Sequence, residues 1–142
     1  TKGQNMTIES VKKMVEAAKA EIDNISPSEA SRRANEEGAL IVDIRDVREM
    51  QRDGAIPGAM HAPRGMLEFW VSPDSPYTKE IFGEDREFVL CCAGGMRSAL
   101  SAKTLKDMGM EKISHIETGF GGWKADDMAI ETYEEWKANR NR

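Results

Sequence analysis

The sequence predicts an α/β domain: a sheet of about five mostly parallel strands with helices on both faces. Three observations lead there. Short apolar runs at Ile22–Ile25, Ala39–Ile44, Met60–Ala62, Phe88–Cys91 and Ile113–Ile116 alternate with segments of helical periodicity. The Ala39–Ile44 run is almost continuously apolar, as a strand buried on both faces requires. The chain has 142 residues, about one domain, and that length buries enough surface to fold without a disulfide or metal.

The elements follow in order. From Met6 to Glu21, the residues Ile8, Val11, Met14, Val15 and Ala18 recur at helical spacing, with Thr7 as the expected cap. Ile22–Ile25 reads as a short strand. Ser26-Pro27 opens a second helix, because serine caps a free N–H and proline suits the first turn; it runs to about Gly38. After the Ala39–Ile44 strand come a short helix at Val47–Arg52, a turn at Ile56-Pro57-Gly58-Ala59, and a strand near Met60–Ala62. Gly65–Val71 reads as a helical turn and Ser72–Tyr77, with two prolines, as a loop. Phe88–Cys91 is the fourth strand. Ser98–Met108 is helical and stops at Gly109, Ile113–Ile116 is the fifth strand, and short helices at Gly119–Ala125 and Glu131–Asn139 close the chain. Thr1–Asn5, ahead of Met6, is treated as an expression remnant and left out of the fold reading.

Composition narrows the function. The formal net charge is -5, which argues against a nucleic-acid partner, and Lys137, Arg140 and Arg142 are too few to make a basic patch. No apolar run approaches a membrane span, and no signal peptide precedes Met6, so no membrane partner is expected and a cytoplasmic setting is. The two cysteines are adjacent, Cys91 and Cys92, and neighbours can neither staple distant parts of a chain nor form a metal site. In a reducing compartment they are thiols. No metal and no cofactor is expected. The nine methionines are scattered and read as core filler, Met96 excepted by its position in a loop.

The chemistry concentrates in Leu90-Cys91-Cys92-Ala93-Gly94-Gly95-Met96-Arg97-Ser98. A buried strand ends, two glycines turn the chain, and a helix begins. In a parallel sheet, this is the end where ligands bind. Curled backbone amides, a helix start and the permanent charge of Arg97 make an anion cradle. Such surroundings lower a thiol from its usual pKa of about 8.5 and favour the nucleophilic thiolate. Neighbours on a strand face opposite ways. Cys91, nearer the strand, is the expected packed residue, and Cys92, first in the loop, the expected nucleophile.

The register of this loop is ambiguous by itself. Counted from Cys92 it reads Cys-x4-Arg-Ser, which resembles the rhodanese active-site loop. Counted from Cys91 it reads Cys-x5-Arg-Ser, which resembles the signature of protein tyrosine phosphatases. The remaining motifs decide: Val42-Asp43-Ile44-Arg45, Ile56-Pro57-Gly58-Ala59, Cys92 through Ala99, and Gly119-Phe120-Gly121-Gly122-Trp123 occur in that order. Together they resemble the rhodanese-like domain, over about Ile25 to Glu131. The domain reading is therefore a helical extension at 6–24 and a single rhodanese-like domain at 25–142.

That resemblance implies a sulfurtransferase, in which Cys92 accepts sulfane sulfur from a donor such as thiosulfate and, as a persulfide, passes it to a thiol, cyanide or protein acceptor. It implies that Ala93, Gly94, Gly95, Met96 and Arg97 supply the amides around the sulfur, and that Arg97 also anchors the loop or meets an anionic donor. It gives Asp43, Arg45 and Ser98 supporting roles, and Gly119 and Trp123 a packing role near the site. The chain departs from the family in having Asp53-Gly54-Ala55 before the Ile-Pro-Gly turn and Cys91 before the catalytic position. Phe69, Trp70 and Tyr77, in a long Met66–Phe82 connection, are candidates for a pocket wall or for core patching. His61 and His115 have no sequence link to the cysteines, and the cradle needs no base. Two competing readings are a phosphatase or arsenate reductase using Cys91 and Arg97, and a non-catalytic binding module.

Overall fold

The computed structural model describes residues 7–140. Thr1–Asn5 and Met6 lie outside the described residues. Five strands form one parallel sheet: β1 (Asp23–Ile25), β2 (Leu40–Asp43), β3 (Met60–His61), β4 (Phe88–Cys91) and β5 (Ile113–Ile116), in the order β1-β5-β4-β2-β3. Among the described residues these α-helices accompany it: α1 (Val11–Lys19), α2 (Pro27–Glu36), α3 (Val47–Asp53), α4 (Leu67–Val71), α5 (Met96–Asp107), α6 (Gly119–Ala125) and α7 (Tyr133–Asn139). The predicted α/β sheet is the observed one, and it is wholly parallel.

β4 lies at the centre of the sheet and all four of its residues are buried. Its side chains alternate between two cores. Val89 and Cys91 pack with Ile25, Ala30, Ile116, Phe120 and Trp123 under α2 and α6. Phe88, Leu90 and Cys92 pack with Val42, Ile44, Leu67, Ala102 and Leu105 under α4 and α5. The period of two therefore separates the adjacent cysteines onto opposite faces.

The first helix differs from the sequence reading. Its cap is Ser10, whose hydroxyl accepts from Lys13 N, and not Thr7. Only Val15 and Ala18 are buried, against Ala99 on α5, while Ile8, Val11 and Met14 face outward. Apolar periodicity reports a stripe, and here only two residues of the stripe meet a partner. Burying Val15 contributes about 2 kcal/mol. The residue 24/25 boundary drawn for the helical extension falls inside β1, which pairs Asp23, Asn24 and Ile25 with Ser114, His115 and Ile116.

Local signals place the other ends. Ser26 accepts from Glu29 N at 3.1 Å, a cap worth about 1 kcal/mol. Asp46 and Glu49 form a reciprocal capping box on α3. α5 begins at Met96, two residues before the expected Ser98, because Gly95 adopts φ 97° and turns the chain directly into the helix. α7 is tied down by Trp136, whose indole N–H donates to Ala59 O at 2.8 Å. No helix among the described residues is long and apolar enough to cross a membrane.

Candidate active site

The site is the loop from Cys92 to Ser98, held at the carboxyl end of β4 between β2 and β5. Three clamps fix it. From one side, Phe120 N donates to Cys92 O at 2.7 Å and Gly121 N to Ala93 O at 3.0 Å. This approach needs Gly119: at φ 66°, a Cβ there would lie 2.6 Å from the Ala93 carbonyl. From behind, Asp43 and Arg45 form a buried ion pair with Nη2–Oδ2 at 2.7 Å; Arg45 also donates to Gly54 O and lies 4.0 Å over the Phe120 ring. These two residues reach the loop through α6, whose Phe120 carries both the cation contact and the amide on Cys92 O. From above, Arg97 makes two 2.9 Å hydrogen bonds to the Glu49 carboxylate.

The Arg97–Glu49 pair alters the electrostatics expected from sequence. The guanidinium is spent on an ion pair and does not stand as a free charge over the cradle. It joins the loop to the first turn of α3, where Glu49 also accepts from Asp46 N. Arg97 in turn holds the Glu49 carboxyl below its usual value.

Around the Cys92 sulfur, Gly95 N donates at 3.1 Å and Ser98 N at 3.3 Å. The thiol donates to Ser98 Oγ at 3.4 Å. Of the amides expected to line the cradle, Gly95 thus reaches the sulfur itself, joined by Ser98. Those of Ala93, Gly94, Met96 and Arg97 find no acceptor among the described residues and remain available to an incoming anion. Cys92 is 1% exposed, so the sulfur rests on the floor of the loop and not at its lip. The amides that stabilise it also draw it in. Above it Ala93, Gly94 and Met96 are exposed, and a Cβ on Gly94 would meet nothing within 4 Å.

Cys91 is different. It is fully buried, its thiol donates to Cys92 O at 3.5 Å, and burial together with the Asp43 carboxylate pushes its pKa well up. A thiol so placed is a packed core group.

The other residues singled out in the sequence divide. Trp123 is buried, with its indole N–H on Ala129 O. Trp70 patches the α4–α5 core and carries Lys79 4.4 Å over its ring. Phe69 and Tyr77 instead make an edge-on pair, more than half exposed. His61 lies 2.7 Å from Arg45 O, remote from the sulfur in the hydrogen-bond network. His115, which sequence reasoning left unlinked, is brought to the site: its Nδ1 lies 2.8 Å from Ser98 Oγ. Neither this link nor Glu49 has a local signal in the sequence, since both partners come from distant segments. No cluster of three or more His, Cys, Asp or Glu side chains able to hold a metal ion occurs among the described residues.

Fold and site together define an α/β domain in which a thiol-bearing loop joins a central parallel strand to a helix. The family model of the rhodanese-like domain matches residues 26–126. The chain belongs to the rhodanese-like domain family. A thiosulfate sulfurtransferase GlpE of Actinobacillus pleuropneumoniae is 28% identical over 108 residues, 76% of this chain and 92% of that one. Among solved structures, a Rhodopseudomonas palustris protein of unknown function, described as a possible tyrosine phosphatase, is 48% identical with TM-score 0.84, over 88% of this chain and 97% of that one. The polysulfide-sulfur transferase homodimer of Wolinella succinogenes is 28% identical with TM-score 0.67, over 85% and 86% of the two chains.

Proposed function

We propose that this chain is a sulfurtransferase that carries sulfane sulfur on Cys92. The observation that carries the reading is the split between the two thiols. Both thiols are buried, but the Cys92 sulfur accepts from two loop amides, whereas the Cys91 thiol, on the opposite face of the sheet, meets the Cys92 carbonyl. The relatives named sulfurtransferases support the same activity.

In the proposed reaction the Cys92 thiolate attacks the outer sulfur of thiosulfate. The donor's S–S bond breaks and sulfite leaves with the bonding pair. The new persulfide anion is held by the loop amides of Ala93, Gly94, Met96 and Arg97 that lack internal partners. Cyanide, a thiol or a partner protein then takes the outer sulfur and returns the Cys92 thiolate. A slender donor suits a sulfur on the floor of the loop, reached past Gly94. Arg97 acts as an anchor on Glu49 and keeps the first turn of α5 facing the sulfur. The two free thiols suit a reducing compartment, and a cytoplasmic setting is part of the proposal.

The phosphatase reading would use Cys91 as nucleophile, and the description of the Rhodopseudomonas palustris neighbour keeps it worth a direct test. Thiocyanate production from thiosulfate and cyanide, and turnover of an aryl phosphate, are measured for wild type, Cys91→Ser and Cys92→Ser. The proposal expects thiocyanate from wild type and Cys91→Ser and none from Cys92→Ser. Phosphate release that depends on Cys91 would overturn it.

A further inference from the structure

A hydrogen-bonded chain runs from the Cys92 sulfur through the sheet to the first strand. Cys92 Sγ is 3.4 Å from Ser98 Oγ, Ser98 Oγ is 2.8 Å from His115 Nδ1, and His115 Nε2 is 2.6 Å from Asn24 Oδ1. Cys92, Ser98 and His115 are buried. The direction of every proton in this chain is fixed by its far end. The Asn24 amide nitrogen donates to Lys19 O at 2.9 Å and Ile22 O at 3.2 Å, which assigns its oxygen to the histidine. An amide oxygen only accepts, so His115 carries its proton on Nε2. Burial, with Lys19 adding to it and Asp23 opposing, lowers the His115 pKa to about 4, so the ring is neutral and Nδ1 is a lone pair. Ser98 therefore spends its single hydroxyl proton on His115 and turns an oxygen lone pair toward the sulfur.

A lone pair facing Cys92 accepts from a thiol and repels a thiolate. We propose that His115, acting through Ser98, holds Cys92 as the protonated thiol at rest, which makes His115 a positioning residue that restrains the nucleophile until a sulfur donor arrives. The inference rests on Cys92 being the working sulfur, and concerns how its reactivity is set. To bond a thiolate, Ser98 must rotate away from Nδ1 and leave that buried nitrogen unsatisfied. The two amides on the sulfur pull toward the anion, and the relay pulls back. The charged groups near the two ends are Lys19 on α1 and Asp23 on β1 for His115, and Arg97 on α5 for Cys92, with the Cys91 thiol of β4 beside it.

The test follows Cys92 by the pH dependence of its alkylation rate with iodoacetamide, in a Cys91→Ala background, for wild type, Ser98→Ala, His115→Phe and the double variant. Alkylation reads the thiol without sulfur transfer, so its outcome is separate from whether the protein is a sulfurtransferase. The expected order of midpoints is wild type highest, Ser98→Ala lower, and His115→Phe lowest, because there the freed hydroxyl donates to the thiolate. The gap between wild type and His115→Phe is about tenfold in thiolate fraction at neutral pH. The double variant should match Ser98→Ala. A Ser98→Ala midpoint above wild type, an unchanged His115→Phe midpoint, or a His115 effect that persists without Ser98 overturns the proposal. Should His115→Phe not fold, nitrogen NMR of the wild-type imidazole decides: the Nε2–H tautomer supports the relay, and an Nδ1–H tautomer or an imidazolium at neutral pH refutes it.

Discussion

Gly95→Ala tests how tightly the fold is geared to the reactive loop. Gly95 has φ 97°, where an L-residue costs about 1–2 kcal/mol. A Cβ built there lies 2.0 Å from the carbonyl oxygen of Glu117 and 3.0 Å from its carbon, both backbone atoms just after β5. That backbone is itself held by the Glu117 N to Ile25 O bond at 2.9 Å, so it cannot swing aside as a side chain would. Relief requires the loop to retreat by roughly 1 Å or more. The same residue donates to the Cys92 sulfur at 3.1 Å, and a retreat of that size breaks this bond. Strain and clash together should destabilise the domain by about 3 kcal/mol, lowering the melting temperature by about 5–10 °C. Sulfur loading of Cys92 should slow by about tenfold to a hundredfold, since roughly 1 Å of misplacement has that effect. Calorimetry gives the first number and a quench-flow measurement of sulfite release the second. A Gly95→Ala protein that melts within about 1 °C of wild type and releases sulfite at the wild-type rate would show that the contact with Glu117 does not position the loop.

Three further outcomes are expected. Asp43→Ala leaves Arg45 buried without its counter-charge and should cost about 3–5 kcal/mol in urea unfolding; a loss under about 1 kcal/mol would contradict the bracing role. Glu49→Gln removes the partly exposed Arg97 pair and should cost about 0.5–1 kcal/mol at neutral pH. Because the Glu49 pKa is lowered on folding, the unfolded chain binds the proton first. The contribution is therefore full above the ordinary value of 4.5 and is lost as pH falls through the lowered folded value, so the wild-type and Glu49→Gln stabilities should converge in acid. Cys91→Ala should lose about 1–2 kcal/mol of stability for a small cavity while sulfur loading on Cys92 persists, measured by urea titration and sulfite release.

Periodicity and turn chemistry carried most of the fold. Each of the five apolar runs became a strand; β2, β4 and β5 are buried on both faces, β1 and β3 are the partly exposed edges, and Ser26-Pro27 started its helix where the cap and proline require. The split between Cys91 and Cys92 was readable because a strand alternates faces. What escaped was set by distant partners. Thr7 and Ser10 are both capping residues, and which one caps depends on where α1 meets α5. Arg97 reads as a free cation until Glu49, 48 positions away, is folded onto it. His115 sits in an apolar run and looks like a core residue; only β5 packing beside α5 aims its ring at Ser98. The depth of the Cys92 sulfur likewise depends on the curl of the loop and not on its composition.

Intact-protein mass spectrometry after thiosulfate treatment reads the Cys92 sulfur itself. Wild type and Cys91→Ser should each gain the mass of one sulfur atom, removable by cyanide, and Cys92→Ser should gain none. A sulfur adduct that survives Cys92→Ser, or the absence of any adduct on a folded wild-type protein, would contradict sulfur carriage on Cys92.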